Sequence, residues 1–158
     1  RGFRETDLEK ATRDFWDEEV CHTIREEGRR VVQKHQAQGH RCVLLTSSSV
    51  YLARIAQQEF ELDDILSTVF EVTDGTLTGF VEGEICYGVG KLKSAQRYAR
   101  AQGVSLKDST FYTDSYSDLP VLEKVGHPII VQPDPRLGRH ARRQGWPVVT
   151  WDAGPRKK

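Results

Sequence analysis

Two aspartates four positions apart close an apolar run in FYTDSYSDLP, residues 111–120. If that run is a strand, Asp114 stands at its end and Asp118 follows about one helical turn later. Two carboxylates brought to one place repel each other unless a cation lies between them. Oxygen ligands with incomplete protein coordination suit Mg²⁺, which keeps several waters and takes substrate phosphate as a further ligand. A second cluster, VLLTSSS at 43–49, delivers Thr46 and Ser47, hydroxyls beside loop amides of the kind that hold phosphate oxygens. Lys91, closing GVGK at the start of a helix, supplies compensating positive charge. Thr46, Ser47, Lys91, Asp114 and Asp118 together read as one phosphate-plus-metal site. Each also has a plain reading: a Ser/Thr run after a strand caps a helix, Asp118 opens one, and most lysines are solvated.

The elements that must carry these residues follow from the pattern. Residues from Thr6 to about Gln38 read as helix, with Thr6 as cap, Leu8, Ala11 and Phe15 on one face, and a joint at Gly28. Gly39 stops it, and RCVLLT is a short buried strand. Ser48 or Ser49 caps the next helix, VYLARIAQQEF. Residues 68–82 form two strands around Asp74-Gly75, a strong hairpin signal. A helix at KLKSAQRYARAQG, a strand STFYT, a short helix LPVLEKVG, a strand PIIVQ, a helix PRLGRHARRQG and a strand PVVTW complete the chain. Strands alternating with helices predict an α/β domain with a mostly parallel sheet. Ligands of such sheets bind at the carboxyl ends of the strands, where both Thr46 and Asp114 fall.

Composition narrows the partners. The 158 residues suit one domain, and 23 basic against 23 acidic residues leave no field that favours nucleic acid or an anionic membrane. Three scattered cysteines, Cys21, Cys42 and Cys86, make neither a disulfide framework nor a zinc site, and a reducing cytoplasmic setting is expected. Runs such as CVLL and PIIV fall far short of the roughly 20 residues that span a bilayer, so no membrane partner is expected. His35 and His40 read as cationic residues at a helix C-terminus rather than as metal ligands. His22, His127 and His140 have no partner at ligand spacing. Arg136, Arg139, Arg142 and Arg143 read as a solvated helix face, and Trp146 and Trp151 as packing residues.

The ordered set VLLTSSS, YGVGKLKSA and FYTDSYSDLPVLEKVGHPIIVQPD resembles the haloacid dehalogenase (HAD) superfamily of phosphohydrolases, in particular its phosphoserine-phosphatase-like branch, over about residues 20–150. The resemblance implies a HAD-like Rossmannoid three-layer α/β/α core with a helical-cap remnant and a small β-hairpin. It casts Thr46 as the hydroxyl that grips the transferring phosphoryl group and Lys91 as the cation that steadies phosphoryl and nucleophile. Asp114 becomes the Mg²⁺ ligand, and Asp118 orients metal-bound water and the lysine. Ser117 stands where phosphoserine phosphatases usually carry Asn. The implied reaction is phosphomonoester hydrolysis of a small phosphorylated metabolite through a phosphoaspartyl intermediate.

The attacking carboxylate of that chemistry belongs to a strand followed by DxDGT, and no such motif occurs here. VTDGTL at 72–77 has Val72 at the nucleophile position and lies after the Thr46 motif, so it reads as a hairpin. The expectation is therefore a C-terminal piece of a longer protein, inactive by itself, with the nucleophile upstream. Residues 1–27 would be the tail of the cap, 28–152 the core lacking its central strand, and 153–158 a loose tail. The competing expectation is a non-catalytic phosphate- and metal-binding regulatory module.

Overall fold

The computed structural model describes residues 2–151; the tail expected over 153–158 lies outside the described residues. These residues form two compact units, one up to Ile85 and one over Cys86–Trp151.

In the first unit, α1 (Glu5–Phe15) runs through a π turn at Trp16–Val20 and a 3-10 turn at Cys21–Thr23 before α2 (Glu26–Ala37) begins. The joint is thus not Gly28, which lies inside α2, but the extended backbone of Ile24 and Arg25. A single glycine costs a helix only about 1 kcal/mol, too little to break one that is otherwise held. Nor does Thr6 cap α1. Arg4 stands at the cap without a side-chain bond, and the Glu5 N–H donates instead to the Gly75 carbonyl (2.9 Å). The hairpin so supplies one acceptor that the helix start lacks.

β1 (Val43–Ser49) pairs in parallel with β2 (Asp64–Thr68), Val43 opposite Asp64 and Leu45 opposite Leu66. Between them α3 (Val50–Phe60) buries Val50, Tyr51, Ala53 and Ile55, and Ser49 rather than Ser48 caps it. The far end of α3 is seated on α2: the Gln36 side chain donates to the carbonyls of Phe60 and Glu61, and Arg29 pairs with Glu59. β3 (Phe70–Thr73) and β4 (Thr76–Val81) form the expected antiparallel hairpin. Asp74 and Gly75 take φ of 50° and 71°, the left-handed pair that a two-residue turn requires.

In the second unit, α4 (Val89–Gln102) precedes β5 (Thr110–Thr113), and β5, β6 (His127–Val131) and β7 (Val148–Val149) form a parallel sheet in that order. The short α5 (Leu119–Leu122) joins β5 to β6, and α6 (Pro135–Gln144) joins β6 to β7. Leu122, Ile130, Leu137 and Ala141 make the core, with Phe111, Tyr116 and Trp146 packed against it. Gly126 lets the chain pass the Lys107 backbone; a Cβ there would stand 1.7 Å from the Lys107 carbonyl oxygen. Parallel pairing in both units makes this the α/β fold that the alternation of strands and helices predicts. Among the described residues, β1 is paired on one edge only and so is β5.

Candidate active site

The second unit holds three of the expected residues and brings two of them, Lys91 and Asp118, into contact. β5 ends at Thr113, and the chain turns through Asp114 into a 3-10 turn at Tyr116–Asp118. Asp118 then points back into the unit, with only 3% of its surface exposed. Its Oδ1 accepts from Lys91 Nζ at 2.7 Å, and Lys91, on the first turn of α4, is itself 7% exposed. The Thr113 hydroxyl donates to the other oxygen, Oδ2, at 2.7 Å. A buried carboxylate is tolerable because both oxygens are bonded and one partner is a cation.

Asp114 is placed differently. Its carboxylate is exposed, and it has no hydrogen-bond or ion-pair partner among the described residues. A strand-end carboxylate left unengaged beside a satisfied Lys-Asp pair has the oxygen chemistry that a hard cation needs. No group of three His, Cys, Asp or Glu side chains able to hold a metal occurs among the described residues. A Mg²⁺ ion held by Asp114 would therefore draw its other ligands from water and phosphate, as this ion commonly does.

Thr46 and Ser47 belong to the first unit, at the carboxyl end of β1. Thr46 Oγ1 accepts the Ser48 N–H at 3.1 Å, which fixes the hydroxyl on its own loop, while Ser47 is exposed.

Two residues of this region were not expected from the pattern. Thr113 sits directly before Asp114, and a hydroxyl at a strand end was the available signal. Asp134 caps α6 with Oδ1, accepting from Arg136 N (2.8 Å) and Leu137 N (2.9 Å), while Oδ2 accepts the Tyr116 N–H at 2.6 Å. The backbone N–H groups of Leu137 and Tyr116 hold its carboxyl below the usual range. Asp-Pro at a helix start was its signal in the sequence. Arg136, Arg139, Arg142 and Arg143 are all exposed, as expected, and Arg136 also lies 4.4 Å over the Tyr116 ring.

His35 lies in the last turn of α2, the helix C-terminus expected for it, and His40 follows just beyond. His35 and His40 meet Nδ1 to Nδ1 at 2.9 Å, so one donates and the other accepts. Burial, then His40 and Lys34, lowers the pKa of His35.

A family model described as haloacid dehalogenase-like hydrolase matches residues 1–123. A phosphoserine phosphatase of Mycobacterium tuberculosis is 36% identical over 135 residues, 85% of this chain and 44% of its own length. A histidinol-phosphatase of Neisseria meningitidis is 29% identical over 153 residues, 94% of this chain and 69% of its own. Among solved structures, a protein of unknown function from Bordetella pertussis matches with a TM-score of 0.86 at 29% identity, covering 93% of this chain and 67% of that one. A phospho-aspartyl intermediate analogue of phosphoserine phosphatase matches at 0.70 and 19% identity, covering 98% and 68%, which shows the fold. This chain spans less than half the length of the mycobacterial relative.

Proposed function

This chain belongs to the haloacid dehalogenase-like hydrolases, and from that premise we propose that it forms part of a Mg²⁺-dependent phosphatase of small phosphorylated metabolites. The observation that carries the reading is the buried Lys91–Asp118 pair, anchored by Thr113, beside the unengaged carboxylate of Asp114. The phosphoserine- and histidinol-phosphatase relatives support the phosphorylated substrate class.

In this reading Thr46 and Ser47 donate to phosphoryl oxygens, and Asp114 holds the metal. Bound there, Mg²⁺ would neutralise charge on the oxygens of the transferring group. Lys91 carries its positive charge toward the phosphoryl group, and Asp118 keeps the ammonium in place through the bond at 2.7 Å. The attacking aspartate, which would form the phosphoaspartyl intermediate, is not among the 158 residues, which carry no DxDGT, and in this reading they do not turn over substrate by themselves. Cys21, Cys42 and Cys86 form no disulfide among the described residues, which fits a reducing cytoplasm.

The test is phosphate release from a generic phosphomonoester by the full-length protein. Asp114→Ala and Lys91→Ala should each lower the rate at least about a hundredfold, the scale of losing one group that stabilises transition-state charge. Undiminished release by either variant would remove its residue from the site. A full-length sequence with no DxDGT upstream would instead favour the non-catalytic phosphate-binding module.

A further inference from the structure

The loop from Asp114 to Asp118 has to do two opposed things. It holds one carboxylate out in solvent and buries the other four residues later. Ser115, Tyr116 and Ser117 between them must therefore keep a fixed path, because a rotation anywhere in the loop would turn Asp114 away while Asp118 stayed tied to Lys91. Within the loop the bonds are local: Ser115 N–H to the Thr113 hydroxyl at 3.2 Å, and the Ser115 and Ser117 hydroxyls at 2.8 Å. Local bonds between short side chains on one loop leave it free to move as a piece.

Apart from the bonds of the Asp118 carboxylate to Lys91 and Thr113, the bonds that leave the loop converge on one residue. The Asp134 N–H donates to the Asp114 carbonyl at 2.9 Å, and the Asp134 Oδ2 accepts the Tyr116 N–H at 2.6 Å. Asp134 thus grips the main chain on both sides of Ser115. Its other oxygen, Oδ1, is the cap of α6, accepting from Arg136 N and Leu137 N, and Leu137 and Ala141 of that helix are fully buried in the core. The same helix holds the Tyr116 side chain, with Arg136 over one face of the ring and His140 against it at 6.1 Å between centroids. With one N–H on Oδ2 and two on Oδ1, the carboxylate is spent on main-chain donors, which suits an anchor rather than a metal ligand.

We infer that Asp134 is the positioning residue of the metal loop, fastening the main chain around Asp114 to the N-terminus of α6. The inference rests on the reading of Asp114 as the metal ligand. A helix cap alone would need only one oxygen; the second oxygen and the N–H are what hold Asp114 in place.

Asparagine separates the two tasks. It caps helices about as well as aspartate, so Oδ1 can keep Arg136 N and Leu137 N, but its amide nitrogen then faces the Tyr116 N–H, donor against donor. Serine at 134 also caps and is too short to serve both sites, which makes it a second variant should the first fold poorly.

The experiment is Mn²⁺ binding to the full-length protein, followed by electron paramagnetic resonance with no substrate present, alongside amide exchange at Tyr116. Asp134→Asn and Asp134→Ser should melt near the parent temperature, exchange the Tyr116 amide faster, and bind the ion about tenfold more weakly, the scale of losing a partner that orients a metal ligand. Excess metal should restore turnover, which it would not do for a folding defect. Parent affinity in both variants, with Asp114→Ala abolishing binding, overturns the role of Asp134 alone. Parent affinity in Asp114→Ala overturns the metal reading, and the role of Asp134 with it.

Discussion

Lys91 and Asp118 meet at 2.7 Å with side chains only 9% and 5% exposed, which sets them apart from the surface ion pairs of the described residues. A pair this deep is maintained because neither partner can be left alone. Lys91→Ala leaves a buried carboxylate with only the Thr113 and Ser117 hydroxyls, and should destabilise the fold by about 3–5 kcal/mol. Adding Asp118→Asn to Lys91→Met should recover part of that loss, read from urea unfolding midpoints. A single Lys91→Ala variant as stable as the parent would mean the pair is not buried in solution.

Gly126 is tied to its place by approach rather than by backbone angle. Because a methyl group would stand 1.7 Å from the Lys107 carbonyl oxygen, Gly126→Ala must displace backbone. The expected cost is at least about 2 kcal/mol, in the range of overpacked sites. The denaturation midpoint should fall with the slope unchanged; an unaltered midpoint would show that the two segments separate freely.

Ser49 and Ser48 can be told apart by stability. Ser49→Ala removes the side-chain bond to Leu52 N, long at 3.5 Å, and should cost about 0.5–1 kcal/mol. Ser48→Ala should change stability by less than half of that. A larger loss at Ser48 would reverse the assignment of the cap.

Tyr51 gives the fold a pH dependence on the alkaline side. Burial and the bond to Glu5 at 2.9 Å push its hydroxyl up to about 12, against about 10 in an unfolded chain. The folded state holds the proton more tightly, so this contribution is complete below about pH 10 and is lost as pH rises toward about 12. Unfolding free energy measured across that window should fall more steeply for the parent than for Tyr51→Phe. Parallel curves would remove Tyr51 from the account.

How far the sequence could be read follows from how local each signal is. The hairpin was legible because Asp74-Gly75 alone dictates its turn, and Asp114, Asp118 and Lys91 because each sits where a strand or helix changes. β2 went unread: DILST has an acidic approach and no clean alternation, and it becomes a strand through pairing with β1 some twenty positions earlier. The start of α1 was misplaced for the same reason, since its first donor is met by Gly75, far along the chain. Thr113 and Asp134 had visible signals, but their partners are set by the third dimension. If the proposed function holds, Thr46→Ala should lower phosphate release by the full-length protein at least about tenfold, with Thr46→Ser retaining most of it.

The hydrogen bonds that fasten the 114–118 loop to α6 run through the main chain of the loop: the carbonyl of Asp114 and the N–H of Tyr116 make them, and Asp134 contributes the side chain. Such bonds are indifferent to which side chains stand at 115 and 117. Those two positions can therefore vary while the path of the main chain around Asp114 is kept.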